Sequence, residues 1–292
     1  MRVYNPKKWF DILFQMHRSD TLRKLFPMII IISLYSIAAV YFEGKYVHLV
    51  EKNYLSNLPI FHSLLGFALS LLLVFRTNTA YDRWWEGRKL WGSLVNNSRN
   101  LAIKLQALLP PTDAHNRDFY KRMIPLYARV LKEHLQLDST TYALSSFPEH
   151  EHIKLDYNKH TPNQVARMLH DRAIQLQRNG VITGEQLLYL NPELTSFTDI
   201  CGACERIKNT PIPYSYSAFI KKFIFIYVMT LPFGYALSLG YWVVPVVAMV
   251  FYVLTSLEII AEEIEDPFGT DSNDLPMDKI SENIGKHVRE IL

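Results

Sequence analysis

Three stretches of this sequence, 25–42, 53–75 and 223–257, contain no Asp, Glu, Lys or Arg. That gap constrains the fold more than any other feature, because a water-soluble core seldom makes such runs while a bilayer requires them. The whole-chain average conceals it: with 49% hydrophobic and 20% charged residues, the sequence would pass for an ordinary soluble domain. A spanning helix needs roughly 17 to 25 mostly apolar residues, and 25–42 qualifies narrowly. In the second run Pro59 precedes a strongly apolar but short stretch, 60–75, which either continues into the amphipathic sequence beyond it or is shielded by neighbours. The third run is too long for one span. It carries Pro232, Gly234, Gly240 and Pro245, and it reads as two helices, about 223–239 and 242–260, joined by a tight turn at Gly240. Four transmembrane helices are expected.

Lys and Arg placement gives the orientation. Arg2, Lys7, Lys8, Arg18, Arg23 and Lys24 precede the first span, whereas the loop after it offers Lys45 and Lys52 balanced by Glu43 and Glu51. Arg76, Arg83, Arg88 and Lys89 follow the second span, and Lys221 and Lys222 precede the third. The positive-inside rule therefore places both termini and the large middle segment in the cytoplasm. The long charged leader and the lack of a small-x-small site after Phe42 argue against a cleaved signal peptide. The expected division is a cytoplasmic N-terminal segment (1–24), spans one and two (25–75), a helical cytoplasmic domain (76–222), spans three and four (223–260) and a cytoplasmic C-terminal segment (261–292).

The middle segment shows helical periodicity and no strand alternation. A helix from Thr79 to Leu109 stops at Pro110-Pro111, and another runs from about Asn116 to Leu137. Thr161-Pro162-Asn163-Gln164 resembles a capping box opening a helix that ends at Gly180. Thr183-Gly184-Glu185-Gln186 repeats the pattern for a helix interrupted or reset by Pro192. The expected class is all-α.

Chemical constellations are sparse. Cys201-Gly202-Ala203-Cys204 has thioredoxin-type spacing, but that chemistry belongs at a strand end in a βαβ unit, so helix packing is the better reading. Glu149-His150-Glu151-His152 reads as a solvated charge run. No catalytic triad, Gly-rich phosphate cradle or paired intramembrane carboxylates appear, so an enzyme, a cofactor and a metal centre are not expected. A net charge of +3 without a basic stripe sets nucleic acid aside. Two cysteines cannot make a disulfide framework.

Past the second span, Tyr81, Trp84, Trp85, Arg88 and Trp91 fall at helical spacings that suit an interfacial belt or subunit packing. Asp82 and Arg83 have candidate partners in Arg76 or in the acidic run Glu258, Glu262, Glu263, Glu265 and Asp266, since charges at a membrane edge need partners. Within the second span, Ile60, Leu64, Ala68 and Leu72 recur at i, i+4 on one face, with Ser63 and Ser70 as polar exceptions elsewhere. Generic packing accounts for such a face, and so does a pore wall.

The run Arg76-Thr77-Asn78-Thr79-Ala80-Tyr81-Asp82-Arg83-Trp84-Trp85-Glu86-Gly87-Arg88 closely resembles the bestrophin family in its bacterial form. Cys204-Glu205-Arg206-Ile207, Thr210-Pro211-Ile212-Pro213 and Glu265-Asp266-Pro267-Phe268-Gly269 agree with it, as does the four-span plan. The resemblance implies an integral membrane protein that forms a bestrophin-like pentameric channel in a lipid bilayer and passively conducts small monovalent ions. Its axial pore would have a hydrophobic neck made by the second span and a second constriction in a cytosolic chamber. Anchored on Arg76, Tyr81 and Asp82, the neck positions fall on Ile60, Leu64 and Ala68, with Phe67 replacing Ala68 in a register set by Gly66-Phe67. The cytosolic constriction falls at Glu185, or at Ile182 or Leu187 if the loop carries a gap. Arg76, Tyr81, Asp82, Arg83, Trp84 and Trp85 would be structural or interface residues. The resemblance implies chloride or other anions for the family at large and sodium or another cation as in some bacterial members, and a ring of Glu185 carboxylates would likewise favour sodium or potassium. The separated acids in Thr270-Asp271-Ser272-Asn273-Asp274 serve calcium poorly, so calcium gating is not expected. A bacterial inner-membrane location follows, and a non-conducting membrane scaffold or regulatory subunit is the alternative.

Overall fold

The computed structural model describes residues 20–46, 57–136, 155–156 and 158–292. The described residues form α-helices and one short 3₁₀ turn, without strands: α1 (Asp20–Tyr46), α2 (Leu58–Leu108), α3 (Ala114–Gln136), α4 (Thr161–Arg178), α5 (Gly184–Asn209), α6 (Tyr214–Leu239), a 3₁₀ turn (Gly240–Trp242), α7 (Val243–Glu265) and α8 (Met277–Ile291). The basic residues Arg2, Lys7, Lys8 and Arg18, the loop residues Glu51 and Lys52, and the Glu149-His150-Glu151-His152 run lie outside the described residues.

Two units divide the chain. One comprises Arg83–Thr210 with Asp266–Leu292, and the other Arg2–Asp82 with Pro211–Glu265. The second unit is inside-out by the standards of a soluble protein. A narrow seam is buried, with Leu25, Ile32, Leu69, Leu73, Ile220, Ile224, Val243, Val247 and Phe251 in contact. Around it large apolar side chains stay exposed, among them Ile31 (59%), Leu34 (61%), Phe225 (57%) and Met249 (67%). An apolar surface this extensive is stable only against lipid or other copies of the chain.

Three segments are long and apolar enough to cross a membrane: Thr21–Lys45, Leu58–Leu108 and Tyr214–Glu265. The last is broken by the turn at Gly240, whose φ of +53° favours glycine, so four apolar helices result. Several polar side chains inside them are tied to backbone carbonyls or to one another, which lowers the cost of placing them in lipid. Tyr35 donates to the Met229 carbonyl (2.8 Å), His62 Nε2 lies 3.0 Å from Thr230 Oγ1, and Ser63 and Ser70 donate to the carbonyls of Pro59 and Gly66 one turn back.

The first unit has a conventional core. Trp91, Leu94, Leu101 and Leu105 of α2 join one cluster with Tyr120, Ile124 and Tyr127 of α3, Leu169 of α4, Phe197 of α5 and Ile284 and Val288 of α8. The Tyr127 hydroxyl donates to the Phe197 carbonyl at 2.5 Å.

Of the two alternatives left open for 60–75, continuation into the amphipathic sequence is the one observed: 58–108 is one helix of 51 residues. Several other elements differ from the sequence expectation. Pro192 neither interrupts nor resets α5, because Leu190 and Leu194 on either side of it are buried and packing holds the turn. The cap of α4 is His160, not Thr161: its Nδ1 accepts from the Asn163 amide at 3.2 Å, while Gln164 turns back to Asp156. The Thr183 capping box forms as expected, with Gln186 as its partner. Helix α8 has no counterpart in the expectation, although Met277, Ser281, Ile284 and Val288 mark its buried face at helical spacing.

Candidate functional site

The apolar stretch of α2 has two unlike faces. His62, Leu69, Leu73, Arg76 and Ala80 are buried at spacings of seven, four, three and four, which at about 100° per residue keeps them on one side of the helix. The opposite side carries Ile60 (62% exposed), Leu64 (65%), Phe67 (73%), Leu71 (47%) and Val74 (53%). Ala68, also exposed, stands about 80° round the helix from Ile60, on the flank of that side. All four expected neck residues are thus on the uncovered surface of α2, and Phe67 lies closer than Ala68 to the line opposite the buried face.

Close approach holds α2 to its own bundle. A Cβ built on Gly66 would meet the Tyr227 hydroxyl at 2.8 Å, and one on Gly234 would meet His62 Nδ1 at 2.9 Å. His62 in turn stacks edge-on against Tyr227 with ring centroids 5.7 Å apart. Two glycines and a histidine thereby set the distance between α2 and α6 and the rotation that turns Ile60, Leu64 and Phe67 outward.

The charged end of the apolar unit is a network of pairs. Arg76, 1% exposed, places Nη2 2.6 Å from Glu265 Oε2 and Nε 3.5 Å from Glu258 Oε1. Glu265 also accepts from the Ile212 amide at 2.7 Å. Lys24 pairs with Glu263 (2.8 Å) and Lys221 with Glu262 (3.0 Å). Glu258, Glu262, Glu263 and Glu265 of the acidic run are therefore each paired with a cation. The pairing with the acidic run that was expected of Arg83 is made by Arg76 instead.

Arg83 does something else. Its guanidinium donates to the carbonyls of Ile207 and Thr210, both at 2.5 Å, and so closes the C-terminal end of α5 where carbonyls lack helical partners. Arg206 one turn earlier pairs with Glu86 at 2.6 Å. Trp84 donates its indole N–H to the Asn273 carbonyl at 3.0 Å, and Arg88 lies over Trp85 at 5.0 Å. Tyr81, Asp82 and Trp85 are exposed on the single chain.

Glu185 sits in the first turn of α5, fully exposed, where hydrogen bonds from its own backbone amide and from the Thr183 side chain hold its carboxyl below the usual range. Leu188, next to it in the same turn, is 72% exposed. Ile182 is different: it is 3% exposed and belongs to the core of its unit, with no surface to offer a pore. Leu187 is partly buried against the same core.

Cys201 and Cys204 are buried on α5, and burial pushes the Cys201 thiol up to about 12 and Cys204 higher. Both stay protonated at neutral pH, which suits packing. One cluster was not visible in the sequence. His134 near the end of α3, His160 capping α4 and Glu205 near the end of α5 meet, with each histidine Nε2 2.6 Å from Glu205 Oε1. Separations of 45 and 71 residues from Glu205 leave no motif to read.

Comparison with known proteins agrees with this architecture. The family model described as Bacterial/Fungal Bestrophin protein matches residues 1–290. A voltage-dependent anion channel-forming protein of Nostoc is 34% identical, the match covering 98% of this chain and 92% of that protein. The voltage-dependent anion channel-forming protein YneE of Escherichia coli K12 is 31% identical over 96% of this chain and 90% of its own. Among solved structures, a bacterial bestrophin homologue from Klebsiella pneumoniae superposes with a TM-score of 0.78 at 26% identity, covering 91% of this chain and 98% of that one. With its helical architecture, its apolar membrane helices and a family match along nearly its whole length, the chain belongs to the bestrophin family of membrane proteins.

Proposed function

We propose that the protein is a passive ion channel, formed by a ring of copies, that conducts small monovalent anions such as chloride. The observation that carries the reading is the outward face of α2, where Ile60, Leu64 and Phe67 are 62%, 65% and 73% exposed directly opposite the helix's buried side. In a ring whose members turn this face to a common axis, the three side chains make a narrow apolar neck. Such a neck gates by dewetting, because an ion loses its water there and gains no polar replacement. Anion preference is supported by the names of the Nostoc and Escherichia coli relatives, both voltage-dependent anion channel-forming proteins rather than enzymes.

A pentamer is the assembly this reading expects, embedded in the bacterial inner membrane with both termini cytoplasmic. Exposed Tyr81, Asp82 and Trp85 are its candidate contacts between copies. Glu185 favours a second reading. An exposed, ionised carboxylate repeated round an axis would collect cations and repel anions. Purified protein in planar bilayers under a salt gradient decides both points. An anion-selective current, with a reversal potential near the chloride equilibrium value, supports the first reading, and a potential of opposite sign supports the second. No current from correctly assembled protein leaves the scaffold alternative.

A further inference from the structure

We propose that His134, His160 and Glu205 form a binding site for a divalent transition-metal ion of the zinc type, with both imidazole Nε2 atoms and one carboxylate oxygen as ligands and water completing a tetrahedron. The three candidate ligand atoms already lie within 4.8 Å of one another. Two imidazoles and one carboxylate, from three protein positions, are a set zinc uses when it keeps one position open. Oxygen-seeking calcium and magnesium want more and harder ligands than this site offers.

The geometry needs little adjustment to take the ion. At metal–ligand distances of about 2.0 Å a tetrahedral site has ligand-to-ligand edges of about 3.3 Å, so the two 2.6 Å contacts to Glu205 open slightly as the ion enters. The imidazole rings lie with centroids 4.5 Å apart, tilted 52° to each other. His134, His160 and Glu205 are each partly exposed, at 18%, 33% and 28%, so an ion can reach them from solvent.

Two features tune the site. His160 Nδ1 accepts the Asn163 amide in the α4 cap, so coordination through Nε2 requires the ring proton to move to Nδ1 and the cap bond to be given up. Metal loading and the first turn of α4 are therefore linked. Lys208, whose Nζ bonds the Leu135 carbonyl at 2.6 Å, brings a positive charge near His134 and weakens binding. Cys201 and Cys204 are buried and do not belong to the cluster of ligand atoms. An ion here would tie the ends of α3 and α5 to the start of α4.

Zinc titration of the full-length, detergent-purified protein, stripped with EDTA, tests the site by calorimetry and metal analysis. The expected result is one zinc per chain and a raised Tm, with affinity reduced about a hundredfold in His134→Asn and in Glu205→Gln. His160→Asn is the variant that separates ligation from folding: Asn is a strong N-cap residue, so it keeps the α4 cap while removing the ligand. A paired His150→Ala and His152→Ala variant is expected to bind as the parent does. Cobalt substitution should give a tetrahedral spectrum with no thiolate charge-transfer band. The proposal is overturned by absence of stoichiometric zinc in the parent, by undiminished binding in His160→Asn, by loss of binding in the His150/His152 variant, or by a thiolate band.

Discussion

Arg76 Nη2 lies 2.6 Å from Glu265 Oε2, joining α2 to the end of α7 through a pair in which the arginine is 1% exposed. A buried charge stripped of its partner costs about 3–5 kcal/mol, because its desolvation is no longer offset. Arg76→Met leaves Glu258, itself 2% exposed, and Glu265 without their common cation. Glu265→Gln leaves Arg76 with Glu258 at 3.5 Å. Arg76→Met should therefore destabilise by about 3–5 kcal/mol and Glu265→Gln by clearly less. Thermal unfolding in detergent, followed by tryptophan fluorescence, measures the order; equal losses would mean that Glu258 contributes nothing.

Glu185 offers a separable prediction about selectivity. Its carboxyl is held below the ordinary range by hydrogen bonds at the start of α5, so it is fully ionised through neutral pH and is lost as a charge only when pH falls through that lowered value. If Glu185 faces the conduction path, Glu185→Gln should move the reversal potential toward anion preference at pH 7. The parent's selectivity should stay constant from pH 8 down to about 5, since even an unshifted Glu titrates near 4.3. Identical reversal potentials for parent and Glu185→Gln would remove this residue from the pathway.

The parts of the fold that were legible in the sequence depend on local chemistry or on the bilayer's demand for uncharged helices. The Gly240 turn needed only a glycine between two apolar runs, and the Thr183 box only a Thr and a Gln three residues apart. What escaped is what packing decides. Pro192 reads as a break, yet burial on both sides of it keeps α5 continuous. Thr161 reads as a cap, but His160 takes the position and reaches Glu205 as well. The candidate neck was legible as a face and ambiguous as a register, because spacing alone does not say which side of α2 is covered; His62, Leu69 and Leu73 supply that side. The pairing of His134 with Glu205 joins helices far apart in sequence, and local pattern carries no trace of it.

Gly87 packs against a rigid surface. A Cβ there would lie 3.1 Å from both a Phe268 ring carbon and a Pro267 ring carbon, and Phe268 is fully buried. Neither ring can bend aside as a flexible chain end would, so Gly87→Ala has to shift the 267–275 turn, which is held by the Leu275 amide on the Pro267 carbonyl at 2.9 Å. Overpacking of this kind costs about 1–3 kcal/mol. Gly92, where an added Cβ would meet no atom within 4 Å, is the control: Gly92→Ala should be neutral or mildly stabilising through helix propensity. Chemical denaturation of the two variants side by side checks the contrast.

The register of the candidate neck can be settled by exchanging bulk between adjacent positions. Phe67 is 73% exposed on the line opposite the buried face, whereas Ala68 stands on its flank. If Ile60, Leu64 and Phe67 form the constriction, Phe67→Ala and Leu64→Ala each remove apolar bulk from it, lower the dewetting barrier and raise single-channel conductance or open probability. Ala68→Phe should then change conduction little and act chiefly on assembly, because a new ring on the flank meets a neighbouring copy. The alternative register predicts the reverse: Ala68→Phe narrows the path and silences the channel, while Phe67→Ala leaves currents intact and weakens the oligomer. Single-channel recording paired with size-exclusion chromatography distinguishes them, since one reads the bore and the other the contacts around it.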